Sequence, residues 1–542
     1  MAMFRPREYV FRRIILAFVI CWLNAATSSA SVDYWPTEGW RYSVAENQGM
    51  DSGRLAKMVE FIQKKKYEID NITVIRNGYV VLDAYFHPFQ KDTKHIIHSC
   101  TKSITSALIG IAMAEGFIKN VTEPVLGFFP NLTPAESSAS KRAITLEHLL
   151  IMAPGLKCQD SYRYGWRGLY EMQQSADWIQ YMLDLPISEA PGTRFEYCNG
   201  ATFLLSAIIQ ETTGMKTLEF AEKRLFSPLG IKDVKWRTNP QRIDIGYGGM
   251  WLKPHDMAKI GWLYLNQGRW ENRQVVPAAW VEASTRGHIS ANLFDRYGYQ
   301  WWVDSAGYYM AVGYRGQFIY VIPEKNMVVV FTSDLPGGRF HIPGTLLIKY
   351  IIPAATSSGR LSANPNAKAH LDAVLKRCAT APAYGTIWLS DKDGVAKDGV
   401  FMRTASPAFQ FSFPIGSKKV PLDAPDVIMA MRTPEGIRFS ATVVDIPEGW
   451  QLAEMGPKHY AANLTNVGTD IQIVSNNEIV LKDGTPAYRT DIKWMFQETI
   501  PIRTHLTSVF KDGKCIYVSA HPTWAHPEIV QIVESVTLET PR

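Results

Sequence analysis

The chain has 542 residues, of which 46% are hydrophobic and 20% are charged, so it is long enough for two or three globular domains. Its formal net charge is +6, and the arginines before residue 14, offset by Glu8, supply +3 of it. The remaining charge is too small to favour nucleic acid or an anionic membrane surface as a partner.

The N-terminus has the pattern of an export signal. A basic start runs into the apolar stretch IILAFVICWL and then into NAATSSA, with small residues at Ser28 and Ala30. This pattern predicts a secretory signal over residues 1–30, cleaved after Ala30, and a periplasmic or secreted protein. The apolar run is too short to be a good membrane span, and an uncleaved anchor is the alternative. After cleavage no stable membrane span is expected.

The next segments predict one mixed domain. Two strands in NITVIRNGYVVLDAYF are joined by Asn77-Gly78, a strong hairpin signal. An apolar helix within residues 96–116 follows, with Gly116 as its C-terminal stop, and residues 140–240 are mostly helical. The stretch from YGYQWWVD to VVVFTSD alternates as antiparallel strands do, and TLLIKYIIPAA closes the unit. The fold class is therefore α/β (α+β): an antiparallel sheet flanked by helices, with a helical insertion.

The remaining chain predicts a second, smaller domain. ATSSGRLSANPNAKAH is rich in Ser, Asn and Ala and favours a linker, placed at 361–382. Strands follow in FQFSFPIG, GIRFSATVVDI, DIQIVSNNEIVL, AYRTDIKWMF and IRTHLTSVFKDGKCIYVSAHP, with a final helix in HPEIVQIVESV. The predicted domains are 31–360 and an α+β domain over 383–542.

The cysteines and histidines indicate no metal centre. Five cysteines remain after the predicted signal: Cys100, Cys158, Cys198, Cys378 and Cys515. Their spacing matches no zinc pattern, and small buried thiols are the simplest interpretation. A disulfide, for instance Cys158 with Cys198, stays open in an oxidising compartment. No P-loop or dinucleotide fingerprint is present, so no metal or organic cofactor is expected.

The segment IIHSCTKSITSALIGIAMAEG places an amine where packing has no need for one. Lys102 follows Ser99 by three residues, so the two side chains share one face of a helix. Burial lowers the pKa of a lysine, and a neutral amine can take the proton of a serine hydroxyl. The alternative is a surface lysine, since S-x-x-K alone is a weak pattern.

Two further motifs strengthen the catalytic interpretation. PGTRFEYCNG holds Tyr197 and Asn199 two residues apart before a helix, and GYRGQFIYVIP holds Tyr314-Arg315-Gly316 at a turn. In this order, S-x-x-K, Y-x-N and the third element resemble the serine β-lactamase and penicillin-binding-protein-like hydrolases. The resemblance is to their class C-like branch of esterases, amidases, D-aminopeptidases and 6-aminohexanoate-dimer hydrolases, and it covers roughly residues 45–355.

The resemblance implies a role for each matched residue. Ser99 corresponds to the acylated nucleophile, Lys102 to the amine beside it, and Tyr197 to the proton-transferring tyrosine. Asn199, Tyr314, Arg315 and Gly316 correspond to substrate-binding positions. The backbone N–H groups of Ser99 and Gln317 correspond to the oxyanion hole. The expected substrate is a small-molecule ester or amide, and no cofactor is required.

The third element departs from the β-lactamase pattern. Tyr314-Arg315-Gly316 stands where β-lactamases have Lys-Thr-Gly, so the lysine that helps to bind a β-lactam carboxylate is missing. Arg315 either replaces it as a carboxylate clamp or faces solvent.

Other functions remain as alternatives. One is an inactive family member acting as a binding or receptor protein; another is a true β-lactamase or D-Ala-D-Ala peptidase. A Ser-His-Asp hydrolase is disfavoured because no G-x-S-x-G elbow is present. The C-terminal domain weakly resembles modules of the photosystem II oxygen-evolving-protein type, which suggests a docking role only by analogy.

Overall fold

A computed structural model describes most of the chain. It covers residues 33–380 except 88, 137, 161–163, 292 and 336–338. Beyond residue 380 it covers 384–389, 409–414, 418–419, 427–432, 438–465, 468–481, 483–496, 500–521, 533, 535–536 and 538. The predicted signal at 1–30 lies outside the described residues, as does most of the predicted C-terminal helix.

The first domain is built on a nine-stranded sheet with the order β1-β3-β2-β14-β13-β12-β11-β10-β9. Among the described strands of this sheet, the short β1 alone pairs in parallel, with β3. Every residue of β2, β13 and β14 is buried, because helices cover both faces of the central sheet. The strands of the domain are β1 (Arg41–Tyr42), β2 (Ile69–Arg76), β3 (Tyr79–Tyr85), β4 (His95–Ile96), β5 (Lys235–Trp236), β6 (Met250–Leu252), β7 (Arg269–Trp270), β8 (Arg273–Gln274), β9 (Ile289–Ser290), β10 (Arg296–Tyr297), β11 (Trp302–Val303), β12 (Tyr309–Gly313), β13 (Gln317–Ile322) and β14 (Met327–Ser333).

The predicted hairpin at Asn77-Gly78 is confirmed. Both residues have positive φ, 51° and 80°, and Arg76 pairs with Tyr79 across the turn. Two consecutive residues at positive φ define the turn type that matches the twist of a two-residue hairpin. Asn and Gly are the residues that adopt this conformation at least cost.

Helices surround the sheet and fill the predicted insertion. None of those in the described ranges is long and apolar enough to cross a membrane. The helices of this domain are α1 (Ser52–Lys65), α2 (Thr101–Ala114), α3 (Ala139–Arg142), α4 (Leu146–Leu150), α5 (Arg167–Gln174), α6 (Trp178–Asp184), α7 (Asn199–Thr213), α8 (Thr217–Ala221), α9 (Pro254–Leu265), α10 (Ala278–Thr285), α11 (Ile342–Leu346), α12 (Ile352–Ala354) and α13 (Pro365–Ala379). Shorter 3₁₀ turns lie at Ala45–Gln48, His98–Cys100, Val125–Phe128 and Pro323–Lys325, and π turns at Glu222–Phe226 and Leu347–Ile351.

Helix α2 is buried from Thr101 through Ala112 and packs against α7, α10 and β12. Its Gly110 lies directly under an indole ring: a Cβ at that position would be 2.3 Å from Cγ of Trp280. Such a separation is far inside van der Waals contact, so only glycine fits. The position of α2 relative to α10 is therefore fixed by close packing.

The second domain contains the predicted antiparallel sheet, with the order β17-β18-β19-β23-β22-β21-β20, and a separate β15-β16 pair. The strands predicted from sequence in this region are present. A helical segment at 452–464, which the sequence analysis did not identify, packs Met455 and Leu464 onto the sheet. The elements are β15 (Tyr384–Leu389), β16 (Phe409–Pro414), β17 (Lys418–Lys419), β18 (Val427–Arg432), β19 (Arg438–Asp445), α14 (Leu452–Glu454), a π turn (Met455–Tyr460), α15 (Ala461–Leu464), β20 (Gly468–Val480), β21 (Pro486–Phe496), β22 (Ile500–Lys511) and β23 (Lys514–His521).

The segment predicted as a linker, 361–382, instead contains helix α13. Asn364 caps it by accepting from the Ala367 N–H at 3.1 Å, and Pro365 occupies the first turn. Leu371, Val374 and Cys378 join the core of the first domain. The polar composition was misleading because a surface helix needs only one apolar stripe. The other domain boundaries stay predictions.

Leu371→Ala tests whether α13 belongs to the first domain. The side chain is 5% exposed, so its loss should lower the free energy of unfolding by about 2–5 kcal/mol. The measurement is urea denaturation of the full chain. Lys376→Ala, on the exposed face of the same helix, is the control and should change stability by less than about 0.5 kcal/mol. Equal effects of the two substitutions would mean that α13 is only loosely attached.

Candidate active site

Ser99 lies in the 3₁₀ turn His98–Cys100 that leads into α2, and Lys102 is the second residue of that helix. The turn begins with His98 at a positive φ of 46°. Lys102 Nζ and Ser99 Oγ are 3.1 Å apart. The sequence spacing therefore brings the amine and the hydroxyl into hydrogen-bond distance, as predicted.

Lys102 is 2% exposed, and its amine contacts three oxygen atoms. Besides Ser99 Oγ, Nζ donates to Asn199 Oδ1 at 2.6 Å and to the Tyr247 carbonyl at 3.0 Å. An ammonium has three N–H donors, whereas a neutral amine has two donors and one lone pair. The amide oxygen of Asn199 and the carbonyl of Tyr247 accept only. In the neutral state, the lone pair of Lys102 is therefore directed at the hydroxyl of Ser99.

Burial favours this neutral state. It lowers the pKa of Lys102 to about 7, because the charged ammonium loses its hydration; the negative charge of Asp160 acts in the opposite direction. Burial also lowers the pKa of the neighbouring His98 to about 3, assisted by the positive charges of Arg315 and Lys102. The histidine beside the serine is thus a neutral ring.

Tyr197 lies beside the amine that contacts the serine. Lys102 Nζ is 4.9 Å from the centre of the Tyr197 ring. The ring stacks on Trp302 at a centroid distance of 6.2 Å and an interplanar angle of 14°. Burial raises the pKa of Tyr197, so its hydroxyl is protonated at neutral pH. A protonated phenol can give a proton away and take one back.

Asn199 begins α7, and its position is held by a loop that the sequence analysis did not connect with the site. Its backbone N–H donates to Asp160 Oδ2 at 2.6 Å. Two residues before Asp160, Cys158 forms a disulfide with Cys198, with the Cα atoms 5.7 Å apart. This pairing, one of the alternatives left open by the sequence, ties the loop to the Y-x-N element.

The third motif, Tyr314-Arg315-Gly316, is the turn between β12 and β13. Gly316 has a φ of 89°, and a Cβ there would be 2.4 Å from Ser333 Oγ, so the turn requires glycine. The Gln317 carbonyl accepts from Cys100 Sγ at 3.5 Å, which places the start of β13 beside the nucleophile turn. The Tyr314 ring is edge-on to His98 at 5.6 Å.

Arg315 is directed away from solvent. Its guanidinium forms an ion pair with the Asp334 carboxylate, and Nη2 also donates to the Asp334 carbonyl at 3.4 Å. Its side chain is 15% exposed. Burial raises the pKa of Asp334, and the guanidinium lowers it. The sequence analysis left open whether Arg315 clamps a substrate carboxylate or faces solvent. The side chain does not face solvent, and its main contact is with Asp334 inside the protein.

The structure thus brings together Ser99, Lys102, Tyr197 and Asn199, with the third motif adjacent to them. Sequence reasoning missed Asp160, the Tyr247 carbonyl and the partner of Arg315. Among the described residues, no group of three or more His, Cys, Asp or Glu side chains is arranged to hold a metal ion.

Comparison with known proteins identifies the family. The family described as Beta-lactamase matches residues 49–349, which is more than half of the chain. The chain belongs to the beta-lactamase family. It is 25% identical over 288 residues to the 6-aminohexanoate-dimer hydrolase of Paenarthrobacter ureafaciens, covering 49% of this chain and 73% of that protein.

Two other relatives extend the comparison. The lovastatin esterase of Penicillium rubens is 26% identical over 197 residues, covering 33% of this chain and 49% of the esterase. A solved structure from Bacillus anthracis, provisionally assigned as a 6-aminohexanoate-dimer hydrolase, aligns with a TM-score of 0.50 and 22% identity, covering 61% and 91% of the two chains. The fold is that of the beta-lactamase family, and the protein is a serine hydrolase.

Arg315→Ala tests whether this residue of the beta-lactamase-like site is internal support. The substitution leaves the Asp334 carboxylate without its cation, so we expect a loss of about 1–3 kcal/mol in the free energy of unfolding. Replacing both partners by leucine should restore part of that loss, because no unpaired charge then remains. Denaturation curves of the single and double variants measure both effects. Unchanged stability, with turnover lost only for substrates that carry a free carboxylate, would instead favour the clamp.

Proposed function

We propose that the protein cleaves an ester or simple amide bond of a small molecule through a covalent acyl-Ser99 intermediate. The observation that carries this proposal is the environment of Lys102 Nζ. Two acceptor-only oxygens, from Asn199 and Tyr247, direct the lone pair of the buried amine at Ser99 Oγ. Packing alone does not require a buried lysine, and an unpaired buried charge is costly.

Acylation begins with removal of the serine proton. Neutral Lys102 takes the proton as Ser99 Oγ forms a bond to the carbonyl carbon of the substrate. The developing oxyanion accepts from the backbone N–H groups of Ser99 and Gln317. Two observations support this pair: Ser99 precedes the positive end of α2, and Gln317 lies against Cys100. Each such donor contributes roughly 3 kcal/mol to the stability of the transition state.

Tyr197 completes the proton transfers. As the bond to the leaving group breaks, its phenol gives a proton to the departing oxygen or nitrogen and regains one from Lys102. In deacylation a water molecule attacks the acyl-Ser99 carbonyl and gives a proton to the Tyr197 and Lys102 side chains. The ester bond to Ser99 then breaks, and the same side chains return a proton to Ser99 Oγ. Stacking on Trp302 holds the ring of Tyr197 close to Lys102, where its phenol can take part in these transfers.

The substrate class follows from the third motif. No lysine is present at the turn, and Arg315 is paired with Asp334, so a β-lactam carboxylate loses its usual partner. The names of the relatives, a 6-aminohexanoate-dimer hydrolase and a lovastatin esterase, favour amides and esters. A panel of p-nitrophenyl esters, p-nitroanilides and nitrocefin should show ester or anilide cleavage faster than nitrocefin cleavage. Rapid nitrocefin turnover would contradict this order.

A fluorophosphonate probe should label Ser99, as mapped by peptide mass spectrometry. Ser99→Ala should abolish labelling and turnover, and Lys102→Ala should cost nearly as much, because the two groups act as one unit. The double variant should therefore be no worse than either single variant. An unlabelled native protein, under conditions in which a control hydrolase reacts, would favour the receptor alternative.

The pH dependence should report Lys102. The base must be neutral, so kcat/KM should rise with pH and level off above an apparent pKa of about 7. Lys102→Arg keeps the positive charge but cannot lose its proton near neutral pH, so the variant should be inactive across the same range. A kcat/KM that falls as pH rises through this region would show that the protonated amine is the active form.

Export completes the proposal: residues 1–30 act as a secretory signal and the enzyme works in the periplasm or outside the cell. N-terminal sequencing of the mature protein would test it, since cleavage after Ala30 leaves Ser31 as the first residue.

A further inference from the structure

We propose that Asp160 is a positioning residue for the Y-x-N element: its buried carboxylate holds Asn199 in place and so controls where Lys102 directs its lone pair. This inference rests on the proposed function of Ser99 and Lys102. Asp160 lies 39 residues before Asn199 in the chain, and neither the predicted site nor the proton transfers above include it.

The first argument is the hydrogen bond itself. Asp160 is 3% exposed, and Oδ2 accepts from the Asn199 N–H at 2.6 Å. A charge-assisted bond of this length at the beginning of a helix is among the stronger ones in proteins. Asn199 Oδ1 is in turn 2.6 Å from Lys102 Nζ. The carboxylate and the amine are thus connected through one asparagine.

The second argument is the clamp around the loop, defined as residues 158–160 with 196–199. Consecutive loop residues are tied to the Y-x-N segment: Cys158 by the disulfide to Cys198, the Gln159 N–H by the Glu196 carboxylate at 3.3 Å, and Asp160 by Asn199. Gln159 has a φ of 49°, a conformation that costs energy for a residue other than glycine. The strained residue is held because its neighbours on both sides are fixed.

The third argument is charge. Burying a carboxylate costs free energy unless its charge is paired or hydrogen-bonded. Burial raises the pKa of Asp160 to about 6, while the Asn199 N–H and the Lys102 charge lower it. Lys102 is faced by few titratable groups: Cys100, Asp160, Tyr197, Tyr247 and His98. The Asp160 carboxylate favours the protonated amine, so removing its charge lowers the pKa of Lys102 and makes the neutral base available at lower pH.

Two substitutions separate position from charge. Asp160→Asn keeps an oxygen that can accept from Asn199, so acylation of Ser99 by a fluorophosphonate should stay near the wild-type rate at high pH. The acid limb of its pH–rate profile, where the acylation rate falls as Lys102 becomes protonated, should move to lower pH by about 1 unit. This is the lower end of the pKa shift that one nearby charge produces. Asp160→Ala removes the acceptor as well and should lower the acylation rate by about 10²-fold, the cost of small misplacements at a reacting centre.

Two further variants act as controls. Glu196→Gln removes the other carboxylate of the clamp but does not touch Asn199, so the acid limb should not move. Cys158→Ser with Cys198→Ser loosens the clamp and keeps the Asp160 charge, so the rate should fall while the acid limb stays in place. An Asp160→Asn protein with an unchanged acid limb, or an Asp160→Ala protein with a wild-type rate, would overturn the inference.

Hydrogen–deuterium exchange separates this inference from the proposed function. Asp160→Ala should speed exchange in the peptide that contains Asn199, whether or not the protein reacts with the probe. If the native protein is not labelled at Ser99 but Asp160→Ala still speeds exchange around Asn199, the proposed function fails and the clamp stands. If labelling is normal and exchange and acylation are both unchanged, the clamp fails and the proposed function stands.

Discussion

One buried amine organises the centre of this protein. Lys102 exchanges hydration for three oxygen partners that come from the nucleophile turn, from α7 and from the segment before β6. Because the amine fills all three directions, each of these segments has to meet the others at one point. The packing of α2 against its neighbours therefore excludes water from the Lys102 amine and holds its three oxygen partners within 3.1 Å of Nζ.

The parts of this arrangement that depend on local spacing could be predicted from the sequence. Ser99 and Lys102 are three residues apart, and the hairpin at Asn77-Gly78 depends on two adjacent residues. Tyr197, Asn199 and the third motif needed the family resemblance, because each has an ordinary structural interpretation by itself. The antiparallel strands at the centre of the first sheet, and β16 and β19–β23 of the second domain, could be predicted from the pattern of apolar residues, whereas the parallel pairing of β1 was not predicted.

What the sequence could not reveal depends on contacts between distant segments. The Tyr247 carbonyl reaches Lys102 from 145 residues away, and a backbone oxygen leaves no mark on residue type. Arg315 and Asp334 are separated in the chain by two strands and the turn between them, so the sequence left open whether the charge of Arg315 binds substrate or supports the fold. Helix α13 was hidden by small polar residues, although Leu371 and Val374 carry the apolar stripe that anchors it.

Close packing around α2 also bears on how such an enzyme diverges. Because Gly110 is in close contact with Trp280, the helix that follows the nucleophile cannot shift towards α10. Larger side chains at this contact would lower the stability of the fold. The aromatic ring of Tyr314 is different: it lies edge-on to His98, is 41% exposed and can be exchanged without disturbing the interior. Substitutions at this outer position can alter what meets the site while the reacting groups stay where they are. A laboratory search for altered selectivity would accordingly begin its diversity at Tyr314.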